Sequence, residues 1–291
     1  MQLVITGGLG FLGIKLAQHF LRRGALWSPK TGSLQPLRQL TLFDIDWPDQ
    51  LQLPPELTSD ERVRVKTGDI TMDGVTRELV HGVGGLQEYP DVSVIHLASM
   101  VSGDSEADPD RAWEVNVGAQ RSLLEAIRHH APGSRLVFTS STATFGPINQ
   151  GDPPLGDMSK QLPQNTYGFN KVVCEMLINE YSRRGWVDGR GLRLPVIVVR
   201  PGAPNAALTT CWSSAVREPL KGEDTTIPIP GGVRLPVASY QMVCQAMEHA
   251  LLDIDGEALG HDRTLTLPSL SLSPLELHQA AQKLAEEEVS L

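Results

Sequence analysis

Thr6-Gly7-Gly8-Leu9-Gly10-Phe11-Leu12-Gly13 is the stretch on which the fold turns. A short β-branched run, residues 3–6, leads into it, and Leu12, Leu16 and Phe20 follow at helical spacing. Gly7, Gly10 and Gly13 recur every third residue, and Gly8-x-Gly10-x-x-Gly13 also fits the glycine fingerprint of dinucleotide sites. Glycine there permits a tight turn, lets the backbone approach a pyrophosphate, and leaves that charge on the first turn of a helix. The triplet alone is weak. Its setting between a first strand and an amphipathic helix makes it specific.

Outward from this turn, short apolar runs alternate with helical patterns over the first two-thirds of the chain. Strands are expected at 3–6, 40–44, 62–66, 92–97, 135–140 and 192–199, several of them near-continuous Val, Ile and Leu, as in strands covered on both faces. Between them, Trp113, Val117, Leu124 and Ile127 line one helix face, and Phe169, Val173, Met176, Leu177 and Tyr181 line another. The alternation predicts right-handed βαβ units, hence an α/β fold with a doubly wound parallel sheet of the Rossmann type. After Pro201 the rhythm breaks. Residues 201–238 hold six prolines and four glycines and read as loops that build a substrate pocket. A helix over 240–252 and a strand over 263–267 return to the sheet, and Ser273-Pro274 starts a last helix, 273–288. The expected division is a dinucleotide-binding domain, 1–200 with 239–267 returning to it, and a small C-terminal substrate-binding lobe, 201–238 and 268–291.

Composition narrows the function. Of 291 residues, 25 are Lys or Arg and 34 Asp or Glu, a net charge of −9, which argues against nucleic acid or an anionic membrane as partner. The longest apolar run, 194–199, is far below the roughly eighteen residues that span a bilayer. A strand that begins at Gln2 leaves no room for a signal peptide. Cys174, Cys211 and Cys244 are odd in number and far apart, forming neither a disulfide framework nor a metal cluster. Each reads as a small buried hydrophobe, and a reducing, cytoplasmic setting suits them.

Asp44 ends the second long strand, where a carboxylate can accept both ribose hydroxyls of NAD and repel the 2′-phosphate of NADP. Its distance from Gly13 exceeds the usual twenty or so residues because a Pro/Gly/Ser-rich insertion, 27–38, intervenes, and Asp46 competes for the role. Asp69 fits equally a helix cap and a contact to the adenine amine. Ala98 is small enough for a cofactor to pass over, and His96 reads as a core histidine ahead of a catalyst. The decisive pair is Tyr167 and Lys171, four apart and so on one helix face. Ser140 and Ser141 tip the fifth strand at the carboxyl edge, where open α/β sheets bind ligands. A phenol ionises near pH 10, and drawing it down by about three units takes roughly 4 kcal/mol. An adjacent ammonium and a cationic nicotinamide could together supply it. A serine hydroxyl would hold the substrate oxygen where the tyrosine removes its proton, which implies hydride transfer coupled to general-base catalysis.

Together these residues resemble the extended short-chain dehydrogenase/reductase superfamily, in its NAD-dependent epimerase/dehydratase branch, over essentially the whole chain. The resemblance implies that Gly7, Gly10, Phe11, Leu12 and Gly13 hold the pyrophosphate, Asp44 the adenosine ribose, and Asp69 and Ile70 the adenine. It places Leu97, Ala98, Ser99, Asn116, Ser140 and Pro201 along the cofactor and makes Ser141, Tyr167 and Lys171 the catalytic residues, Tyr167 and Lys171 touching the cofactor too. Ser141 is preferred because Phe138-Thr139-Ser140-Ser141-Thr142-Ala143-Thr144-Phe145-Gly146 matches the family's strand-end segment, with Ser140 the fallback. Within the branch, Val101-Ser102-Gly103, the run 181–190, Arg200-Pro201-Gly202-Ala203-Pro204-Asn205-Ala206 and Arg217-Glu218-Pro219-Leu220 are similar to the D-erythronate dehydrogenase family. That likeness implies NAD-dependent oxidation of the C2 hydroxyl of a four-carbon sugar acid to the 2-oxo acid. The family pattern has a lysine where Ala203 stands and a longer C-terminus, so residue 291 is read as a truncation or divergence.

The lobe is short for enclosing a nucleotide-sugar, which agrees with a small substrate, and a sugar acid needs a cation. Arg217 and Arg234 lie in the pocket segment. An arginine fork suits a carboxylate, Arg234 being preferred in its Gly-Gly-Val-Arg run, although either fits equally a structural or solvated role. Ser102 and Asn205 are the candidate hydroxyl ligands, alongside Ser141 and Tyr167. An NAD-dependent sugar-acid dehydrogenase is the leading reading, a nucleotide-sugar epimerase with the same residues the second, and a non-catalytic dinucleotide sensor the third. The resemblance also implies a homodimer formed through a four-helix interface built from helices that include 110–130 and 166–184.

Overall fold

A strand covered on both faces has to bury every residue, and Gln2–Thr6 (β1) does so. The computed structural model describes residues 1–81, 91–147, 153–156, 158–201 and 209–289, with side chains through 285. After β1 and the helix Phe11–Arg23 (α1), the 27–38 insertion folds on itself as a hairpin, Ala25–Ser28 (β2) with Ser33–Pro36 (β3). The chain re-enters beside β1 as Gln39–Asp44 (β4), then passes Pro55–Thr58 (α2) to Val63–Thr67 (β5) and the helix Val75–His81 (α3). It crosses back to the other side of β1 as Val92–His96 (β6). Two short helices, Ser102–Ala107 (α4) and Pro109–Ala112 (α5), lead through a π-helical turn, Trp113–Gly118, into Ala119–His130 (α6). Arg135–Ser141 (β7), the long helix Thr166–Arg183 (α7) and Asp188–Leu194 (β8) follow.

The remaining elements are Val196–Val198 (β9), Thr210–Leu220 (α8), Leu235–Ser239 (β10), Tyr240–Leu252 (α9), Gly256–Leu259 (α10), Thr264–Thr266 (β11), Leu270–Leu272 (β12) and Pro274–Val289 (α11). Seven strands form one parallel sheet in the order β11-β8-β7-β6-β1-β4-β5. Leu3 and Ile5 of β1 face a core shared with Leu16 and Phe20 of α1 and Val243 and Met247 of α9. Val4 faces the opposite core with Leu123, Ile127 and Ile178 of α6 and α7. This is the doubly wound sheet that the alternation predicts. Strand order reverses between β1 and β6, and such a switch point opens a crevice at the carboxyl ends of the strands.

Three expectations need correction. Residues 192–199 are not one strand: Pro195, which has no N–H to give the ladder, separates β8 in the large sheet from β9 in a second sheet ordered β12-β10-β9. Residues 201–238 are not all loop, since α8 and all but the last residue of β10 lie within them. Pro219 sits in the last turn of α8 and cannot bond the Ala215 carbonyl four residues back. His278 Nδ1 of α11 bonds that oxygen instead at 3.0 Å, so the proline is tolerated. Lastly, Trp113, Phe169 and Met176 are 45%, 49% and 52% exposed rather than buried on their helix faces, and the rings of Trp113 and Phe169 stack on each other 6.0 Å apart. No helix of the described residues is long and apolar enough to cross a membrane.

Candidate active site

The glycine turn is tight for reasons visible atom by atom. Gly7 has φ +68°, and a Cβ there would stand 2.9 Å from the Ala98 nitrogen, while a Cβ on Gly13 would stand 2.4 Å from the Gly7 carbonyl oxygen. Any larger residue at either position pushes β1, α1 and the segment after β6 apart. Gly10 caps α1 with no side chain, so the first-turn N–H groups carry the partial positive charge of the helix end unshielded. At the tip of β4, Asp44 is fixed by two backbone donors, Leu9 N–H at 3.0 Å to one carboxylate oxygen and Ile45 N–H at 2.9 Å to the other. Each oxygen keeps a lone pair free for a diol.

One cavity of about 1020 Å³ runs over these strand ends. Gly7, Gly10, Phe11, Leu12 and Gly13 line it from the turn, and Asp44, Asp69 and Ile70 from the strands beyond. Leu97, Ala98, Ser99 and Ser102 line it after β6, and Ser140, Ser141 and Tyr167 at β7 and α7. Asp69 accepts from Thr71 N–H and Oγ1 and from Arg111 Nη2, at 2.9, 2.7 and 2.6 Å, and these partners hold its carboxyl below the usual range. Its carboxylate therefore shapes the turn after β5. Asn116 is buried away from the cavity, where its Oδ1 accepts from Ser99 Oγ and Met100 N–H and so pins the loop that does line it. His96 is 2% exposed and bonded to Thr6 at 2.7 Å, and burial with the Lys171 charge holds it neutral, with a pKa of about 3. It is a core histidine.

Asn165 caps α7 by accepting from Gly168 N–H at 2.7 Å, which sets Tyr167 in the first helical turn. Gly168 lets α7 approach the turn after β7, since a Cβ there would lie 2.4 Å from the Ala143 carbonyl. That approach brings the Ser141 hydroxyl into a hydrogen bond with the Tyr167 oxygen. One helical turn on, Lys171 is 3% exposed, its Nζ 5.3 Å from the centre of the Tyr167 ring and 4.9 Å from that of Phe138. The expected lowering of the phenol does not come from the protein's own groups. Burial pushes Tyr167 up to about 12 against the opposing Ser141 hydrogen bond, and burial pulls Lys171 down to about 8. Lys171 stands over the ring rather than at the oxygen, and burial costs both charged forms more than the pair recovers.

Ser140 is turned away. Its hydroxyl donates to Glu175 Oε1, so the strand-end hydroxyl at Tyr167 belongs to Ser141. Glu175 is fully buried one turn beyond Lys171 and is gripped by Arg193 of β8 (2.8–3.3 Å) and Gln161 (2.6 Å). Nothing in the sequence reading singled out this four-residue brace. A helical spacing of four from Lys171 to Glu175 and an arginine inside an apolar strand are the signals that could have found it.

The structure does not bring the two candidate cations to the cavity. Arg217 is 7% exposed and bound to Glu218, the Arg200 carbonyl and Ser214. Arg234 is on the surface, bound to Glu276 and the Ser271 carbonyl. In each case a nearby acceptor captures the guanidinium. Pro201 is exposed beside the cavity rather than in its wall, and Asn205 lies outside the described residues. Arg200, which was not a candidate, does line it.

Residues 3–258 match the model of the NAD dependent epimerase/dehydratase family. The chain is 39% identical to D-erythronate dehydrogenase of Cupriavidus necator over 285 residues, covering 98% of this chain and 82% of that protein. It is 38% identical to D-erythronate dehydrogenase of Haemophilus influenzae, covering 94% of this chain and 79% of that protein. Among solved structures, the nucleoside-diphosphate-sugar epimerase from Agrobacterium tumefaciens superposes with a TM-score of 0.80 at 34% identity, over 98% of this chain and 78% of that one.

Proposed function

The chain belongs to the NAD dependent epimerase/dehydratase family, and on that premise we propose that it oxidises the C2 hydroxyl of a small, D-erythronate-like sugar acid to the 2-oxo acid. It is an NAD-dependent dehydrogenase acting on CH–OH. One observation carries the finer reading: the Ser141–Tyr167 pair and the Gly7–Gly13 turn line one cavity, with Lys171 Nζ over the Tyr167 ring. The fit to NAD is steric as well as electrostatic, because the turn closes this tightly only without side chains at Gly7 and Gly13, whose Cβ atoms would strike the Ala98 nitrogen and the Gly7 carbonyl, and because Asp44 is fixed by Leu9 and Ile45.

When bound, NAD supplies the hydride acceptor and a positively charged ring. The chain supplies the rest. Ser141 holds the substrate hydroxyl, Tyr167 takes its proton, and Lys171 opposes the burial that disfavours phenolate. Asp44 accepts from the adenosine ribose and repels a 2′-phosphate.

Supplying four- and six-carbon sugar acids with NAD tests this. NADH should accumulate with D-erythronate, and NADP should give little. The Agrobacterium tumefaciens likeness makes a nucleotide-sugar epimerase the competing reading. No net NADH from any sugar acid, together with interconversion of a nucleotide-sugar, would replace the proposal by that one. Trp113, Phe169 and Met176 form a half-exposed apolar strip on the helices expected to pair, which supports a homodimer. Sedimentation should show a dimer that Phe169→Glu splits, whereas a wild-type monomer would refute the pairing.

A further inference from the structure

Arg200 follows β9 and lines the cavity together with Thr209, Thr210 and Ser213 at the start of α8 and with Pro236 of β10. Its backbone is tied on both sides: its N–H donates to Ser213 Oγ at 3.0 Å, and its carbonyl accepts from Arg217 Nη1 at 2.5 Å. Other arginines around the cavity and the lobe are engaged, Arg111 by Asp69, Arg193 by Glu175, Arg217 by Glu218 and Arg234 by Glu276. The Arg200 guanidinium has no carboxylate and no hydrogen-bond acceptor among the described residues. It is nonetheless partly buried, and burial and the Arg217 charge both lower its pKa. A half-buried cation without a counter-ion is costly, and a protein keeps one where a ligand supplies the anion.

We propose that Arg200 binds the substrate's carboxylate, its planar fork donating two hydrogen bonds to the two oxygens. The Ser213 hydroxyl, which accepts from the Arg200 N–H, keeps its own proton to donate to the same group. A sugar acid then lies with its carboxylate at the β9–α8 end of the cavity and its C2 hydroxyl at Ser141 and Tyr167. The site selects acids over neutral polyols because a polyol leaves the guanidinium without its anion. This rests on the sugar-acid reading above.

The test compares Arg200→Gln, which removes the charge, with Arg200→Lys, which keeps the charge and loses the fork. The KM for D-erythronate should rise about 100-fold in Arg200→Gln and about tenfold in Arg200→Lys, with the KM for NAD unchanged in both. Where a variant turns over too slowly, the Kd of D-erythronate for the NADH-loaded enzyme, read by NADH fluorescence, reports the same quantity. If Arg200→Gln does not fold, Arg200→Lys decides. A D-erythronate KM within about threefold of wild type, or a KM for NAD that rises in parallel, overturns the assignment while leaving the sugar-acid reading intact. A wild-type enzyme that oxidises no sugar acid overturns both.

Discussion

Tyr167→Phe should lower kcat with D-erythronate by about a thousandfold or more while the Kd for NAD changes by less than about twofold. The substitution removes one oxygen and keeps the ring that packs beside Lys171, whose Nζ is 5.3 Å from its centre, so the fold has no reason to respond. What is lost is the only phenol at the Ser141 hydroxyl among the described residues. Burial holds that phenol at about 12, well above neutrality, so its ionisation depends on charge that arrives with the cofactor and on Lys171 remaining protonated. Lys171→Met should therefore also lower kcat, and by a smaller factor than Tyr167→Phe, because it removes part of that charge and leaves the base. A Tyr167→Phe enzyme with a near-native rate would remove the phenol from the mechanism. A matching loss of NAD affinity would assign it a binding role instead.

Glu175→Gln should destabilise the fold by about 3–5 kcal/mol in urea denaturation, among the largest effects expected of any single substitution in this chain. Glu175 is 0% and Arg193 3% exposed, and the amide would take the carboxylate's charge from the guanidinium it grips at 2.8–3.3 Å, in a place water does not reach. The double variant Glu175→Leu/Arg193→Met should lose less than Glu175→Gln alone, because the cost lies in removing one member of a buried pair while keeping the other rather than in the missing bond. A loss below about 1 kcal/mol in Glu175→Gln would show that the brace is dispensable. Since Ser140 and Gln161 also end on Glu175, the brace ties β7 and β8 to α7 at the level of Lys171. A surviving Glu175→Gln enzyme should therefore lose kcat more than it loses affinity for NAD.

The parts of this molecule that were legible in the sequence are those fixed by local sterics or by period. Gly7 and Gly13 are where they are because no Cβ fits, and β1 is apolar throughout because both its faces are covered. The four-residue interval from Tyr167 to Lys171 places both on α7 regardless of what surrounds it. What was not legible depends on partners far away in the chain. Pro219 reads as a loop residue until His278, 59 residues on in sequence numbering, takes over the Ala215 carbonyl. Arg217 and Arg234 have the chemistry of a carboxylate binder, yet Glu218 and Glu276 reach them first, while Arg200 is left to the cavity. Pro195 did carry a readable signal, a residue without an N–H inside an apparent strand, and it marks where the chain changes sheets.

The most direct test of the whole account follows one atom. Wild-type enzyme is given NAD and D-erythronate carrying deuterium at C2, and the deuterium content of the NADH formed is read by mass spectrometry. One deuterium is expected in each NADH, matched mole for mole by unlabelled 2-oxo acid. Deuterium retained in the organic acid, or returned to it with no NADH accumulating, would contradict it.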